Sequence, residues 1–269
     1  MDLIRDVNLQ ADERLDDINE GLRIIQKKNG VTFGTDAFLL ASFVRSAPDA
    51  LCVDLGGGTG ILSLLLLAKN KVARTVSVEV QSAFASLASR NAQLNGLSAR
   101  MLSLCGDVRT LTQVSLGAAL EREMGQCADV VVCNPPYMRT GNGARNAHDE
   151  KYLARHEVCG GVADFCAAAA RILRHGGAFY VVFRPDRLSV LMQALHDNHL
   201  EPKCMVMIHA DAQAEPSSVI IEARAGGAEG LRVLPPLLLH EYDSRGCRVR
   251  PLTKPAQTIY DTMSWYTEG

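Results

Sequence analysis

The sequence predicts an α/β fold built on a seven-stranded, mostly parallel sheet with helices on both faces. Along the middle of the chain, short apolar runs alternate with longer helix-like segments, a pattern typical of a parallel sheet that is covered on both sides. Four glycines within residues 56–60 directly follow one of these apolar runs and precede an apolar helix. The chain has 269 residues, 47% of them hydrophobic, which suffices for the core of one large domain.

We expect strands at seven apolar runs, residues 51–55, 75–80, 101–105, 129–133, 178–183, 205–210 and 219–224. Helices fit between them at residues 61–69, 82–94, 162–174 and 186–198. Before the first strand, Thr35 and Asp36 are expected to cap a helix whose apolar run continues from Ala37 to Phe43. The core therefore spans residues 51–225. Residues 1–50 form a preceding segment, and residues 226–269 form an appendage packed on the core.

The charge and hydropathy of the chain bear on whether the protein binds nucleic acid and whether it spans a membrane. The net charge is −2, from 28 basic and 30 acidic residues, so a nucleic-acid substrate must be met by local positive charge. Basic residues concentrate in stretches 139–156 and 245–254, which are explained equally well as solvated faces. The longest apolar run, residues 61–68, is too short for a membrane span, and the N-terminus lacks a signal pattern. We expect a cytoplasmic protein with no membrane partner.

The cysteines predict neither a metal site nor a disulfide framework. No two of the eight cysteines are spaced as C-x-x-C, the spacing that is typical of structural zinc sites. Disulfides are also uncommon in cytosolic proteins of this length. Several of these cysteines lie in strand-like apolar runs, where a reduced thiol behaves as a small hydrophobe.

The glycine-rich turn predicts a ligand site. Asp54 and Leu55 end the first core strand and lead into Gly56-Gly57-Gly58-Thr59-Gly60, and glycine allows positive φ and close approach of a ligand to the backbone. The spacing differs from the G-x-G-x-x-G of dinucleotide sites. Because Asp54 would repel a phosphate, the turn favours a cationic or polar ligand without phosphate. S-adenosylmethionine, with its sulfonium and ammonium groups, fits this description.

Two further acids support the same site. Glu79 ends the second core strand, where a carboxylate can accept both ribose hydroxyls of an adenosine. Asp107 follows the third strand and can accept from the exocyclic amine of the cofactor adenine. Open α/β sheets bind ligands at the carboxyl ends of their strands. Acids at three consecutive strand ends therefore predict a cofactor site at that edge.

Asn134-Pro135-Pro136-Tyr137 follows the fourth core strand and predicts a catalytic loop. The prolines stiffen the loop and fix the direction of its carbonyl groups. The side-chain oxygen of Asn134 and the carbonyl of Pro135 can accept the two hydrogens of a planar NH2 group, and Tyr137 can stack on a planar substrate. The motif leaves adenine, cytosine, guanine and a glutamine side-chain amide open as acceptors.

These residues resemble the class I, Rossmann-like S-adenosylmethionine-dependent methyltransferases that have an Asn-Pro-Pro-Tyr loop. Within that class, the sequence is similar to the bacterial family that N6-methylates adenine 37, beside the anticodon, in valine tRNA. The resemblance rests on residues 24–26, 33–40, 54–61, 91–97, 134–137 and 154–157. It covers most of the chain.

The resemblance implies a role for each candidate residue. Those implied to bind or enclose the cofactor are Asp54, Gly56, Gly58, Gly60 and Glu79, with Asp107 and Val108 at its adenine and Phe33, Thr35 and Asp36 closing the pocket. Those implied to hold the target base are Asn134, Pro135, Pro136 and Tyr137. The implied partner is tRNA, and we expect a monomer, with a homodimer as the alternative.

Three other functions remain open at this point. A protein methyltransferase acting on a glutamine side chain uses the same loop, but usually has an N-terminal helical domain larger than the segment before Leu51. The second is methylation of rRNA or DNA, although DNA methyltransferases normally contain an additional domain that recognises the DNA sequence. The third is a cofactor-binding protein without catalysis, which the presence of Asn134 and Tyr137 argues against.

Overall fold

The computed structural model describes residues 8–18, 21–28, 34–121, 125–135, 160–242 and 248–265. Its strands are β1 (Glu13–Asp17), β2 (Arg23–Lys27), β3 (Ala47–Leu55), β4 (Val72–Glu79), β5 (Met101–Cys105), β6 (Ala128–Cys133), β7 (Leu173–Phe183), β8 (Leu200–His209), β9 (Pro216–Ala225), β10 (Arg232–Val233), β11 (Leu237–Leu238), β12 (His240–Tyr242) and β13 (Arg248–Leu252). Its helices are α1 (Thr35–Phe43), α2 (Ile61–Ala68), α3 (Ser82–Leu94), α4 (Gln113–Ala119), α5 (Val162–Ile172), α6 (Leu188–Asp197) and α7 (Lys254–Thr262), with a 3-10 turn at Pro185–Arg187.

The central sheet has seven strands of five or more residues, in the order β8-β9-β7-β6-β3-β4-β5. All of them are parallel except β9, which is antiparallel to both of its neighbours. The two-residue strands β10 and β11 add to the outer side of β8. The predicted seven-stranded, mostly parallel sheet is therefore confirmed, with this short extension at one margin.

Helices cover both faces of the sheet, as predicted. Alternate residues of β6 point to opposite sides, so that Val130 and Val132 join one apolar cluster while Val131 and Cys133 join the other. The first cluster contains residues of α1, α2, α3 and α7. The second contains residues of α4, α5 and α6. Because both faces are buried, the central strands are continuously apolar, which is why they were recognisable in the sequence.

The segment before the core differs from the expectation. β1 and β2 pair as an antiparallel hairpin, and β3 begins at Ala47, so the prediction that residues 1–50 precede the first strand was wrong. The hairpin went unnoticed because Ile24 and Ile25 are both buried, and consecutive buried residues hide the alternation typical of a strand. Helix α4 was also missed, and α5 ends two residues earlier than expected because Leu173 already belongs to β7.

The expected cap of α1 was wrong as well. The N-cap is Gly34, which has no capping side chain, and Thr35 is the first helical residue. The Asp36 carboxylate instead accepts a hydrogen bond from Ser218 Oγ at 2.6 Å. The Asp36 side chain in the first turn is therefore used in a contact with another element and not as a cap.

A buried lysine fixes the other end of α1. Lys71 Nζ donates to the carbonyl oxygens of Ala41, Ser42 and Val44 at 2.9, 2.7 and 2.7 Å. The last carbonyl groups of a helix lack partners within it, and a cation is favourable at that end of the helix dipole. Lys71 therefore holds the end of α1 at the amino edge of the sheet, while the start of α1 reaches the carboxyl edge.

Lys71→Met should destabilise the fold by about 2 kcal/mol, because buried carbonyl groups lose their donor. Lys254→Met, at an exposed position on α7, is the control and should change stability by less than about 0.5 kcal/mol. Urea denaturation followed by circular dichroism measures both. Equal effects of the two substitutions would show that Lys71 does not pin α1.

Candidate active site

The carboxyl edge of the sheet brings together four of the predicted segments. Leu55 pairs with both Cys133 and Val78, and Glu79 pairs with Cys105. The glycine turn, Glu79, the turn after β5 and the loop after β6 therefore leave the sheet side by side. Neighbouring strands lie about 4.8 Å apart, so the rim from β6 to β5 extends over roughly 14 Å. This is an elongated site, suited to an elongated ligand.

The glycine turn adopts backbone conformations that other residues avoid. Gly56, Gly58 and Gly60 have φ values of 71°, 54° and 83°. Gly60 is also the N-cap of α2, and a Cβ atom there would overlap the side chain of Met101 and lie 3.1 Å from Ala88 Cβ. Positive φ and lack of space thus explain the glycines without reference to a ligand, while the turn they form leaves backbone groups at the rim.

Glu79 ties the glycine turn to the end of β4. The residue is 7% exposed. Its Oε2 accepts from the backbone N–H of Gly58 at 3.1 Å, and its Oε1 accepts from the N–H of Gln81 at 2.9 Å. Each carboxylate oxygen can accept more than one hydrogen bond. Glu79 can therefore hold the turn and still accept from a pair of hydroxyl groups.

Asp54 lies beneath the turn. It is fully buried, and its Oδ2 accepts from Ser63 Oγ on α2 at 3.1 Å. Its Oδ1 has no hydrogen-bond partner, and neither has the buried hydroxyl of Ser77 on the adjacent strand. Burial raises the pKa of Asp54 to about 7, against the lowering effect of the Ser63 hydrogen bonds, and the charge of Glu79 adds to the rise. Asp54 thus joins the start of α2 to β3.

Asp107 is an ionised acceptor on a braced loop. It forms an ion pair with Arg109, with Nη2 2.5 Å from Oδ2, and accepts from the Arg109 N–H at 2.9 Å. The hydrogen bonds from the Arg109 side chain hold the pKa of Asp107 below its usual value. Val108, the next residue, is buried. The carboxylate therefore stays charged, and the guanidinium of Arg109 lies beside the place predicted for an adenine.

Sequence reasoning missed Arg171, which braces this loop from α5. Its Nη2 donates to the carbonyls of Val108 and Arg109 at 2.8 and 3.0 Å, and its Nε donates to Leu111 O at 3.1 Å. An arginine in an apolar helix is a weak signal that could have drawn attention to it. Its partners lie about 60 residues away in sequence, and no local pattern identifies them.

The loop after β6 begins at the same edge. Asn134 is half-buried and Pro135 is buried, directly after the buried Cys133. Pro136 and Tyr137, the other predicted residues of this loop, and Phe33, predicted to close the cofactor pocket, lie outside the described residues. Asn134 stands next to the glycine turn, because β6 and β3 are neighbours in the sheet.

The start of α1 also lies at this edge, held by two other elements. Ser218, which binds Asp36, is near the beginning of antiparallel β9, and that end of β9 lies at the carboxyl edge. The Tyr260 side chain of α7 is hydrogen-bonded to Thr35, and its ring stacks on Phe38 with centroids 4.4 Å apart. Thr35 and Asp36 are therefore positioned by the sheet and by the C-terminal helix together.

Comparison with known proteins identifies the family. The family model described as the methyltransferase small domain matches residues 27–199, which is more than half of the chain. The chain belongs to the methyltransferase small domain family. The sequence-based prediction of a methyltransferase is thereby confirmed.

Relatives and solved structures agree with this assignment. The chain is similar to the tRNA1(Val) (adenine(37)-N6)-methyltransferase of Porphyromonas gingivalis, with 26% identity over 196 residues, 71% of this chain and 73% of that protein. It is also similar to the protein of the same name from Enterobacter sp. (strain 638), with 31% identity over 55% of this chain and 57% of that protein. A crystal structure of a predicted O-methyltransferase from Agrobacterium tumefaciens matches with a TM-score of 0.67 at 22% identity, covering 86% of this chain and 98% of that one. That likeness shows the class I methyltransferase fold.

The described residues of this methyltransferase show neither a metal cluster nor a membrane helix. Within the part of the chain that the structure describes, no group of three or more His, Cys, Asp or Glu residues is arranged to hold a metal ion. Among the same residues, none of the helices has the length and apolar character needed to cross a membrane.

Asp54→Asn should alter the pH dependence of stability. Burial raises the pKa of Asp54 to about 7 in the folded state, whereas a carboxyl group of the unfolded chain titrates near about 4. Between these values the folded state retains a proton that the unfolded state has released, so the free energy of unfolding falls as pH rises. Because asparagine cannot ionise, the free energy of unfolding of the variant should fall by roughly 2 kcal/mol less between pH 5 and pH 7 than that of the unsubstituted chain. Urea titrations at both pH values test this, and parallel profiles for the two proteins would contradict it.

Proposed function

We propose that this methyltransferase transfers a methyl group from S-adenosylmethionine to the N6 amine of an adenine in tRNA, and that the adenine is residue 37 of tRNA1(Val). The observation that carries the proposal is the position of Asn134, which begins the loop after β6 beside the glycine turn after β3. The names of the relatives from Porphyromonas gingivalis and Enterobacter support the choice of nucleotide.

The groups along the rim fit the parts of this cofactor. Glu79 retains acceptor capacity for two ribose hydroxyls beyond its bonds to Gly58 and Gln81. Asp107, kept ionised by Arg109, would accept from an exocyclic amine in exchange for one of the hydrogen bonds that the Arg109 side chain now makes to its two oxygens. The turn offers no phosphate-binding cation of its own. Asp54 beneath it repels an anionic ligand only in its ionised form, which predominates above its pKa of about 7. When bound, S-adenosylmethionine supplies a methyl group activated by a positively charged sulfur.

Asn134 and Pro135 provide what a planar amine needs in order to react. The lone pair of such an amine is delocalised into the ring. If the Asn134 side-chain oxygen and the Pro135 carbonyl each accept one amine hydrogen, they favour a more tetrahedral nitrogen and fix the direction of its lone pair. The proton is lost after transfer, so no strong general base is required. Positioning and fixed dipoles supply most of the rate acceleration in such a site.

Recognition of the tRNA would depend on local basic residues, because the net charge is −2. The stretch at 139–156 follows the catalytic loop in sequence and lies outside the described residues, as does part of the stretch at 245–254. We propose that the stretch at 139–156, because it follows the catalytic loop directly in sequence, meets phosphates around the target base. We also propose that residues 1–50 help to close the cofactor pocket, and that the chain acts as a monomer in the cytoplasm.

The deciding experiment is methyl transfer from labelled S-adenosylmethionine to an extract, with its RNA and protein, of a strain that lacks the enzyme. The tRNA, rRNA and protein are then separated, and the labelled RNA is analysed by nucleoside mass spectrometry. We expect N6-methyladenosine in one tRNA, at position 37 of tRNA1(Val). A label in rRNA but not tRNA would overturn the choice of substrate. A label in a protein band, with none in RNA, would favour a glutamine side chain as the acceptor.

Asn134→Ala should lower kcat by at least about a hundredfold, because the substrate amine loses an acceptor that positions it. The affinity for S-adenosylhomocysteine, measured by calorimetry, should stay within about twofold. Gln193→Ala, which removes an exposed amide on α6, is the matched control and should leave both quantities unchanged. Normal turnover of the Asn134 variant would rule out its role in holding the amine.

Glu79→Ala should weaken binding of S-adenosylhomocysteine by at least about tenfold, the loss expected when a charged acceptor of two hydroxyl groups is removed. Binding of tRNA should change little. Glu241→Ala, an exposed acid on β12, controls for the change in net charge. Unchanged cofactor affinity in the Glu79 variant would remove the ribose assignment.

A further inference from the structure

Two side-chain amides, that of Asn91 on α3 and that of Asn95 directly after its last residue, bind the N-terminal hairpin in the same way. Asn91 Oδ1 accepts from the Ile25 N–H at 2.7 Å, and Asn91 Nδ2 donates to Ile25 O at 3.2 Å. One helical turn later, Asn95 Oδ1 accepts from the Arg23 N–H at 2.9 Å, and Asn95 Nδ2 donates to Arg23 O at 2.7 Å. Each asparagine therefore satisfies both backbone groups of one residue of β2.

The spacing of the two amides matches the spacing of the strand. Four residues of a helix rise about 6 Å, and two residues of a strand rise about 6.7 Å. Asn91 and Asn95 thus act on β2 as a neighbouring strand would, while β1 pairs with its other edge. An unpaired strand edge would otherwise leave these backbone groups without partners.

Asn91 makes one contact that Asn95 does not make. Its Nδ2 also donates to the carbonyl oxygen of Thr59 at 2.9 Å. Thr59 belongs to the glycine turn and directly precedes Gly60, the N-cap of α2. The corresponding second bond of Asn95 Nδ2 goes to Asn91 O at 2.8 Å, in the last turn of α3. The two amides therefore match each other on the hairpin side and differ at the turn.

The Asn91 carboxamide has little freedom. The residue is completely buried, and all three of its hydrogen bonds are to backbone groups. The hairpin that orients it is anchored to α3 independently, because Arg90 forms a two-pronged ion pair with the buried Glu13 at 2.8 and 3.0 Å. Loss of the Asn91 side chain would therefore leave the hairpin attached and Thr59 O without its donor.

We propose that Asn91 is a positioning residue for the cofactor site: held by the hairpin, it fixes the Thr59 carbonyl and with it the glycine turn that receives the cofactor. The inference rests on the proposed function, in that it takes this turn to be part of the cofactor site. Asn91 does not reach the rim itself, so its effect is on cofactor affinity and not on the transfer step.

The experiment compares Asn91→Ala with Asn95→Ala in the full chain. Asn95→Ala should speed hydrogen exchange in residues 21–28 and leave the Kd for S-adenosylhomocysteine within about twofold. Asn91→Ala should also speed exchange in residues 56–62. It should raise both that Kd and the KM for S-adenosylmethionine by about tenfold, with kcat at saturating cofactor within about twofold.

Two results of this comparison would overturn the proposal. Equal increases in Kd for the two variants would assign the effect to hairpin docking, and an unchanged turn in Asn91→Ala would remove the role altogether. If Asn91→Ala does not fold, Asn91→Leu fills the same space without a donor, and the same expectations apply to it. Absence of binding by the unsubstituted chain would defeat the proposed function, and exchange in residues 56–62 would still decide whether Asn91 holds the turn.

Discussion

Parallel pairing of β5, β4, β3 and β6 brings the carboxyl ends of four strands to one edge, and the chemistry of the molecule depends on that register. A shift of one residue along any of these strands would exchange its buried faces and also move the polar residue at its end. Glu79 can reach the N–H of Gly58 because β4 and β3 end together. The apolar cores on the two faces thus determine where the polar rim is placed.

Hydrogen bonds from a few polar side chains fix the positions of α1 and α3 relative to the elements around them. Lys71 holds the end of α1, Ser218 holds its beginning through Asp36, and Asn91 links α3 to both the hairpin and the glycine turn. Because apolar packing is non-directional, small sliding motions of a helix cost little free energy when packing alone opposes them. Hydrogen bonds to particular backbone or carboxylate oxygens make such motions costly. Those of Ser218 and Asn91 lie at the candidate site, and those of Lys71 lie at the opposite, amino edge of the sheet.

The parts of the molecule that the sequence predicted are those set by local pattern. The central strands are apolar runs because both of their faces are buried, and the glycine turn is visible because its backbone requires glycine. The hairpin was missed because buried residues on both faces of β2 conceal its period. Arg171, and the bond between Asp36 and Ser218 across 182 residues, are products of the tertiary fold. No rule of spacing along the chain identifies such partners.

The margins of the central sheet bear on how other macromolecules can approach it. On one side, the two-residue strands β10 and β11 cover part of β8, and on the other side the last strand, β5, has five residues. Short edge strands are a common protection against edge-to-edge association, because they offer few unpaired backbone groups in a row. The outer edge of β8 is therefore already partly paired. At the carboxyl rim, in contrast, contacts with a large substrate would depend on side chains and local charge and not on backbone pairing.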